Sequence, residues 1–498
     1  MFVNFWQLKK TILFWRKILA VTLVSSLVIP GTGNQRVIAQ TMDYCQLSSS
    51  VIQEKENLRL SALRGNQDAE NRYQKLLQQH AQQLEVCRRQ TWPQNQGIWL
   101  RLYPCDVQPG AVDKILDHIV NKGYNQVYLE VFYDGQVLLP VANNRTPWPS
   151  VIRTPGAEKV DLLATTIQKG RERGLKVYAW MFTINFGYTY AQRQDREQAI
   201  ARNGKGQTSL YVVDDGAQVF IDPYNNQAKT DYYLMVQEVV RRRPDGILFD
   251  YVRFPRQSGT DSIATKVSDL WLFTPASQEA LFRRAQNSKG LELIQRFIRK
   301  GYITAGDIVE VDKLYPQEDE PLWQGRIVPS EKSLLTPTQK QPILQTELWF
   351  LAVAHAMQGI LDFVAIASYP AQQQRIPSGV VFFPEGNQTF GQGYDSRLQP
   401  WDRFPNTLEW HPMSYATCGN ANCIAAQVQR VLSTAKPGTQ VIPALAGKWG
   451  EPMSNRPSLE TQMQALKQFS SQISGVSHFA YSWQHPEHDS DRKFCNAR

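Results

Sequence analysis

The sequence predicts an α/β chain built as a closed (β/α)8 barrel of the TIM type, preceded by a short helical segment. Three observations predict it. From Gly97 onward short apolar strands alternate with helical stretches, and eight strands are counted, starting at residues 97, 126, 175, 246, 363, 408, 440 and 476. Eight strands in regular βα order is the number that closes such a barrel. The helical stretches 112–123 and 161–174 end in Gly123 and Gly174, the residue type that most readily takes the left-handed turn ending a helix. An open doubly wound sheet is the alternative, but it would carry a Gly-rich phosphate loop after its first strand, and LRLYPCDVQPG has no such pattern.

Residues 1–39 stand apart from the barrel. Lys9, Lys10, Arg16 and Lys17 precede an apolar run from Ile18 to Ile29, and Val37-Ile38-Ala39 stands where a signal peptidase reads. These are the parts of a secretory signal, and the run is short for a bilayer span. Residues 40–96 follow as a helical segment and linker. The stretch 43–90 is rich in Gln, Glu, Arg and Leu without Pro, so it reads as one or two amphipathic helices broken at Gly65-Asn66. A spacer or a protein-binding helix pair is its expected use.

The barrel takes residues 97–498. GIWLRL (97–102) is the first strand, VDKILDHIVNKG (112–123) a helix, and QVYLEVF (126–132) the second strand. DLLATTIQKGRERG (161–174) is a helix running into LKVYAWMF (175–182). After VFIDP (219–223), a helix around Gln227 to Arg243 feeds GILFDYV (246–252). Residues 256–345 are a long insertion after strand four, and such insertions sit on the active-site face. A helix at 346–361 then leads to FVAIASY (363–369), expected as strand five, and to LEWHPMSY (408–415). Helices at 424–434 and 459–473 precede strands QVIPALAG (440–447) and VSHFAYSW (476–483).

Charge and cysteine content narrow the function classes. Five basic and no acidic residues fall in 1–39, so removing that stretch lowers the formal +9 to +4. No Lys/Arg cluster elsewhere forms a binding stripe, which argues against nucleic acid. Six cysteines suit an oxidising compartment, so the periplasm, cell envelope or exterior is expected, with no stable membrane span after signal cleavage. Cys45 and Cys87 flank the polar helical stretch, and Cys418 and Cys423 bracket the loop GNAN. Cys105 follows strand one and Cys495 follows strand eight, which are neighbours only in a closed barrel, so those two are expected to pair. No His accompanies the cysteines at ligand spacing, and neither metal nor cofactor is expected.

Reactive groups in this fold lie at the C-terminal strand ends. Those ends supply Glu130, Tyr178, Trp180, Asp250, Tyr251, Arg253, Ser368, Tyr369, Glu409, His411, Tyr415, Tyr481, Trp483 and His485, with Asp222 and Asn225 before a helix. Carboxylates among many Tyr and Trp suggest carbohydrate, because sugar rings stack on aromatic planes. Glycosidic hydrolysis needs one carboxylic acid to protonate the leaving oxygen and a second carboxylate as nucleophile or base. Asp250 is expected as nucleophile or charge stabiliser, with Glu130 or Asp222 as acid/base and Arg253 as the ion-pair partner of Asp250. Tyr178, Trp180, Asn225, Tyr251, Arg253, Tyr369, His411, Tyr415 and Trp483 are the expected substrate-binding residues. For Asp222, capping of the following helix is the plain alternative.

GLKVYAW (174–180), FIDPYN (220–225), DGILFDYVRFP (245–255), HPMSY (411–415) and FAYSW (479–483) together carry a resemblance. The chain resembles the bacterial glycosyl-hydrolase-like barrels of family 10 and related glycosidases with a Phe-Asp-Tyr-Val-Arg-Phe-Pro strand. That resemblance implies a (β/α)8 fold, action on glycans such as peptidoglycan strands, a central acidic Asp250, and Asp222 and Asn225 in the cleft. Tyr178 stands where such proteins often have His, Tyr251 where they often have a second Asp, and Glu130 where they usually have Gln. An exported glycoside hydrolase acting on a polysaccharide is therefore the expectation. A glycan-binding barrel without catalysis, or an envelope scaffold working through residues 43–90, are the alternatives.

Overall fold

The computed structural model describes residues 44–328 and 335–495, and the expected secretory signal over 1–39 lies outside them. Eight parallel strands close on themselves: β1 (Gln96–Leu100), β2 (Gln126–Tyr133), β3 (Lys176–Phe182), β4 (Gly246–Asp250), β5 (Ser378–Phe382), β6 (Glu409–Ser414), β7 (Ala444–Ala446) and β8 (Val476–Phe479). Closure is explicit in the register. Gly97 to Leu100 of β1 pair with Gln126 to Leu129 of β2, while Gln96 to Ile98 pair with Val476 to His478 of β8. The fold is a (β/α)8 barrel.

The helices of two turns or more are α1 (Ser49–Leu63), α2 (Gln67–Gln90), α3 (Ala111–Asn121), α4 (Leu162–Glu172) and α5 (Asn226–Val240). The insertion holds α6 (Pro275–Phe282), α7 (Ser288–Lys300) and α8 (Ala305–Leu314). Then come α9 (Pro337–Gln373), α10 (Asn422–Leu432), α11 (Leu459–Leu466) and α12 (Pro486–Lys493). Their starts are set locally. Asn66, Asp161 and Asn225 each accept a backbone N–H from three residues ahead, capping α2, α4 and α5.

One expected strand is overturned. FVAIASY (363–369) is not strand five but the last third of α9, and the fifth strand is Ser378–Phe382. Apolar, β-branched residues there bury one helix face against α5 and the barrel, with Phe363, Val364, Ala367 and Ser368 buried. A short apolar run does not distinguish a buried strand from a buried helix. Among the described residues α9 is also the one helix long and apolar enough to cross a membrane, yet 61% of its most apolar window is buried inside the protein.

The lower barrel interior is filled by polar aromatics. Tyr128 and Tyr178 meet edge to face, with centroids 5.5 Å apart, and Tyr128 meets His411 at 5.3 Å. Tyr178 donates to Glu409 Oε1 at 3.2 Å, and His411 Nε2 lies 3.2 Å from Glu409 Oε2. Gly97 and Gly246 make room for these rings: a Cβ at Gly97 would sit 2.8 Å from the Tyr128 ring, and one at Gly246 would overlap the Tyr178 ring.

The α1–α2 hairpin docks on the barrel wall. Asp117 of α3 accepts from Tyr73 of α2 at 2.7 Å and from Arg173 at 2.9 Å, with Lys55 of α1 at 3.8 Å. Three disulfides are formed: Cys45–Cys87, Cys105–Cys495 and Cys418–Cys423. The second joins the segments after β1 and β8, 390 residues apart in sequence but neighbours once the barrel closes.

Candidate active site

The C-terminal ends of seven of the eight strands converge on one cleft. Its centre, a cavity of about 220 Å³, is lined by Trp99 and Arg101 from β1 and its end, Glu130 from β2, and Trp180 and Phe182 from β3. Asp250, Tyr251 and Arg253 come from β4, Val381 and Phe383 from β5, Met413 and Tyr415 from β6, and Phe479 from β8. A second cavity of about 270 Å³ shares Trp99, Arg101, Glu130, Trp180 and Phe479 and extends the cleft toward Ser482, Asp489 and Lys493. The walls are aromatic: Trp99 and Trp180 stand edge to face at 4.8 Å, and Trp180 meets Phe182 at 5.9 Å.

Asp250 is the last residue of β4. Its Oδ2 accepts from the Trp180 indole N–H at 3.0 Å and its Oδ1 from the Tyr251 backbone N–H at 2.6 Å. Tyr251 itself has φ 52°, a left-handed conformation unusual for a bulky residue. Burial pushes the Asp250 carboxyl up to about 6, against the pull of the two N–H donors and Arg253.

Glu130 sits where the pairing of β2 with β3 slips by one residue, between Glu130 and Phe132. Such bulges re-aim a side chain at a barrel rim. Both Glu130 oxygens are held by the Arg101 guanidinium, Oε2 by Nε and Oε1 by Nη2 at 3.1 Å. Burial raises the Glu130 carboxyl to about 7, with Arg101 opposing and Asp134 and Asp250 reinforcing the rise. Arg101 also lies over the Tyr133 ring at 4.2 Å.

The expected residues divide clearly. Asp250, Glu130, Trp180, Tyr251, Arg253 and Tyr415 line the cleft. Trp483 lies beside it, its ring 6.0 Å from Phe479. Tyr178 and His411 lie beneath, in the buried network around Glu409. Four expectations need correction. Asp222 is wholly buried away from the cleft, accepting from Thr274 Oγ1 and from Tyr224 N–H at 2.9 Å, so it ties its loop to the start of α6. Asn225 caps α5. Tyr369 lies on α9, half exposed, because the run expected as strand five is helical. Arg253 forms no ion pair with Asp250 among the described residues; its guanidinium covers the Tyr251 ring at 4.5 Å. His485 stacks on His118 at 4.9 Å, outside the cleft lining. Arg101 was not among the expected residues, although applying the strand-end rule to GIWLR would have found it.

With this geometry in place, comparison with known proteins finds a family match over part of the chain. Residues 92–287 match the glycosyl hydrolase-like 10 family. This stretch spans β1 to β4 and the start of the insertion, and holds Arg101, Glu130, Trp180 and Asp250. Over 161 residues, 31% of this chain, the sequence is 25% identical to the glycosyl hydrolase DigH of Escherichia coli K12. The match spans 36% of DigH, about a third of that protein's length. Among solved structures, the glycoside hydrolase domain of PgaB (BpsB) from Bordetella bronchiseptica aligns over 80% of this chain and 98% of its own. That alignment has 13% identity and a TM-score of 0.47. A GH18 chitinase from Pseudoalteromonas aurantia aligns over 81% of this chain and 98% of its own, with 10% identity and a TM-score of 0.36.

Proposed function

We propose that this chain is an exported glycoside hydrolase acting on a cell-wall or extracellular polysaccharide, a peptidoglycan-type glycan being one such polymer. One observation carries the reading: two buried carboxyls, Asp250 and Glu130, line a single aromatic cleft at the C-terminal rim of the barrel. Both are raised toward neutral pH, to about 6 and about 7. In the reaction, Glu130, its carboxyl raised by burial, is assigned the proton delivered to the leaving oxygen. Asp250, held by two N–H donors, stays ionised and faces the sugar as nucleophile, or as base toward a water. Trp180 and Phe479 supply planes for the rings. The three disulfides support an oxidising compartment and hence export.

The test is release of new reducing ends from purified wall glycan. Asp250→Asn and Glu130→Gln should each lower the rate by about 100-fold or more while the melting temperature stays that of a folded protein. Release at the native rate by Asp250→Asn would refute the assignment. The hold of Arg101 on both Glu130 oxygens favours a second reading, in which the barrel binds glycan without cleaving it. Under that reading the native protein retains wall glycan and releases no reducing ends on long incubation.

A further inference from the structure

We propose that Arg253 seats a carboxylate borne by the sugar ring bound beside Asp250, so that the cleft selects acidic over neutral glycan units. This rests on the cleft being a glycan site.

Two arginines line the central cavity, and they differ in what holds them. Arg101 is neutralised by Glu130 through two hydrogen bonds. Arg253 is 6% exposed and has no carboxylate partner among the described residues. Its Nη1 donates to Phe254 O at 3.0 Å, and its Nε is buried with no hydrogen-bond partner. The cation rests on aromatic faces, Tyr251 at 4.5 Å and Phe383 at 5.7 Å. Nearby Arg397 is closed off in turn by Asp395, at 2.7 Å to each oxygen.

A buried cation without a paired anion is costly, and proteins rarely leave one so unless it has a use. Asp250 acts on Arg253 through its charge but forms neither a hydrogen bond nor an ion pair with it among the described residues; its oxygens accept from Trp180 and Tyr251. Stacking uses the flat face of a guanidinium and leaves its edge for in-plane acceptors. A carboxylate matches such an edge with two parallel hydrogen bonds, which neutral hydroxyls do less well. A ligand carboxylate at this point would supply a paired anion and meet the terminal Nη edge of the guanidinium, Nε itself being buried.

The probes are a neutral β-linked N-acetylglucosamine oligosaccharide and the same oligosaccharide oxidised at C6 to carry carboxylates. Calorimetric titration of full-length Asp250→Asn protein reads binding without cleavage, so it remains informative even if no hydrolysis occurs. The carboxylated probe should bind about tenfold or more tighter than the neutral one, the size expected for a hydrogen bond to a charged group. Adding Arg253→Gln should bring the ratio close to one, and Arg253→Lys should restore part of it. Equal affinity for both probes on the Asp250→Asn protein overturns the proposal without recourse to an Arg253 variant. So does a preference that survives Arg253→Gln. In cleavage assays on the native background, Arg253→Gln should act mainly through KM on the acidic probe. A uniform loss in kcat on both probes, with only the acidic limb of the pH profile moved, would instead make Arg253 a positioning residue for Asp250 and overturn the proposal.

Discussion

Asp250 and Glu130 are pushed in the same direction by the same cause, and what separates them is the number and kind of donors each one meets. Burial raises both. Two N–H groups bring Asp250 back to about 6, while Arg101 leaves Glu130 at about 7. If Asp250 works ionised and Glu130 works protonated, kcat/KM should follow a bell with limbs near those two values. Arg101→Leu removes the cation that favours ionised Glu130, so the alkaline limb should move upward while the acid limb holds. A shift of the acid limb alone would reverse the two roles. The same burial has a stability consequence. Asp250 has a folded value raised above its ordinary 3.8, so its contribution is fully present below about pH 4 and is lost as pH rises through about 6. Asp250→Asn, which cannot ionise, should therefore be more stable than the native protein at pH 8, by up to about 3 kcal/mol. The gap should close by pH 4 in urea unfolding. Both carboxyls stand out in the sequence as charges in apolar strands, Asp250 at the end of one and Glu130 within another. The role of Asp222 was not legible there: a carboxylate before a helix looks the same whether it faces a cleft or ties a loop to Thr274, whose partner lies 52 residues away.

At the scale of elements, seven of the eight strands were legible because each is a short apolar run bounded by turn residues and followed by helix or loop. The eighth failed where the run belonged to a longer element. FVAIASY has the composition of a strand, but it continues α9, a helix of 37 residues whose buried face faces α5. The true β5, SGVVF, is only five residues and begins five residues after that helix ends. Tyr369 therefore lies on that helix and not at a strand end. Nothing in local pattern reveals the layer of rings inside the barrel, because it depends on register between strands. Gly246 pairs with Tyr178, and its missing Cβ is what admits the Tyr178 ring. Gly246→Ala should cost about 1–3 kcal/mol in denaturant unfolding, the range for overpacking a filled core. Gly216→Ala is the control, since a Cβ there meets nothing within 4 Å and its effect should lie within about 0.5 kcal/mol. Equal effects at the two sites would mean that the barrel interior yields to the added methyl.

For the molecule as a whole, the α1–α2 hairpin is part of the barrel's own stability. Its seam is polar, with Asp117 at the hub, and the charges there are unequal in what they contribute. Asp117 takes a hydroxyl and a guanidinium as close donors, from Tyr73 and Arg173. Lys55 reaches it only at 3.8 Å, its Nζ otherwise without a partner among the described residues, and burial lowers that ammonium to about 8. Removing one partner of a buried pair leaves the other uncompensated, whereas replacing a poorly paired buried charge by an apolar chain is often neutral or better. The two ends of this one contact should therefore respond with opposite signs. Asp117→Asn leaves Lys55 and Arg173 facing a neutral amide and should cost about 3–5 kcal/mol in chemical denaturation at pH 7. Lys55→Met keeps the length of the stem and leaves Asp117 with Arg173 and Tyr73, so stability should hold or rise by as much as about 3 kcal/mol. If the two variants lost stability equally, the Lys55–Asp117 ion pair itself would hold the hairpin, rather than the bonds of Asp117 to Tyr73 and Arg173.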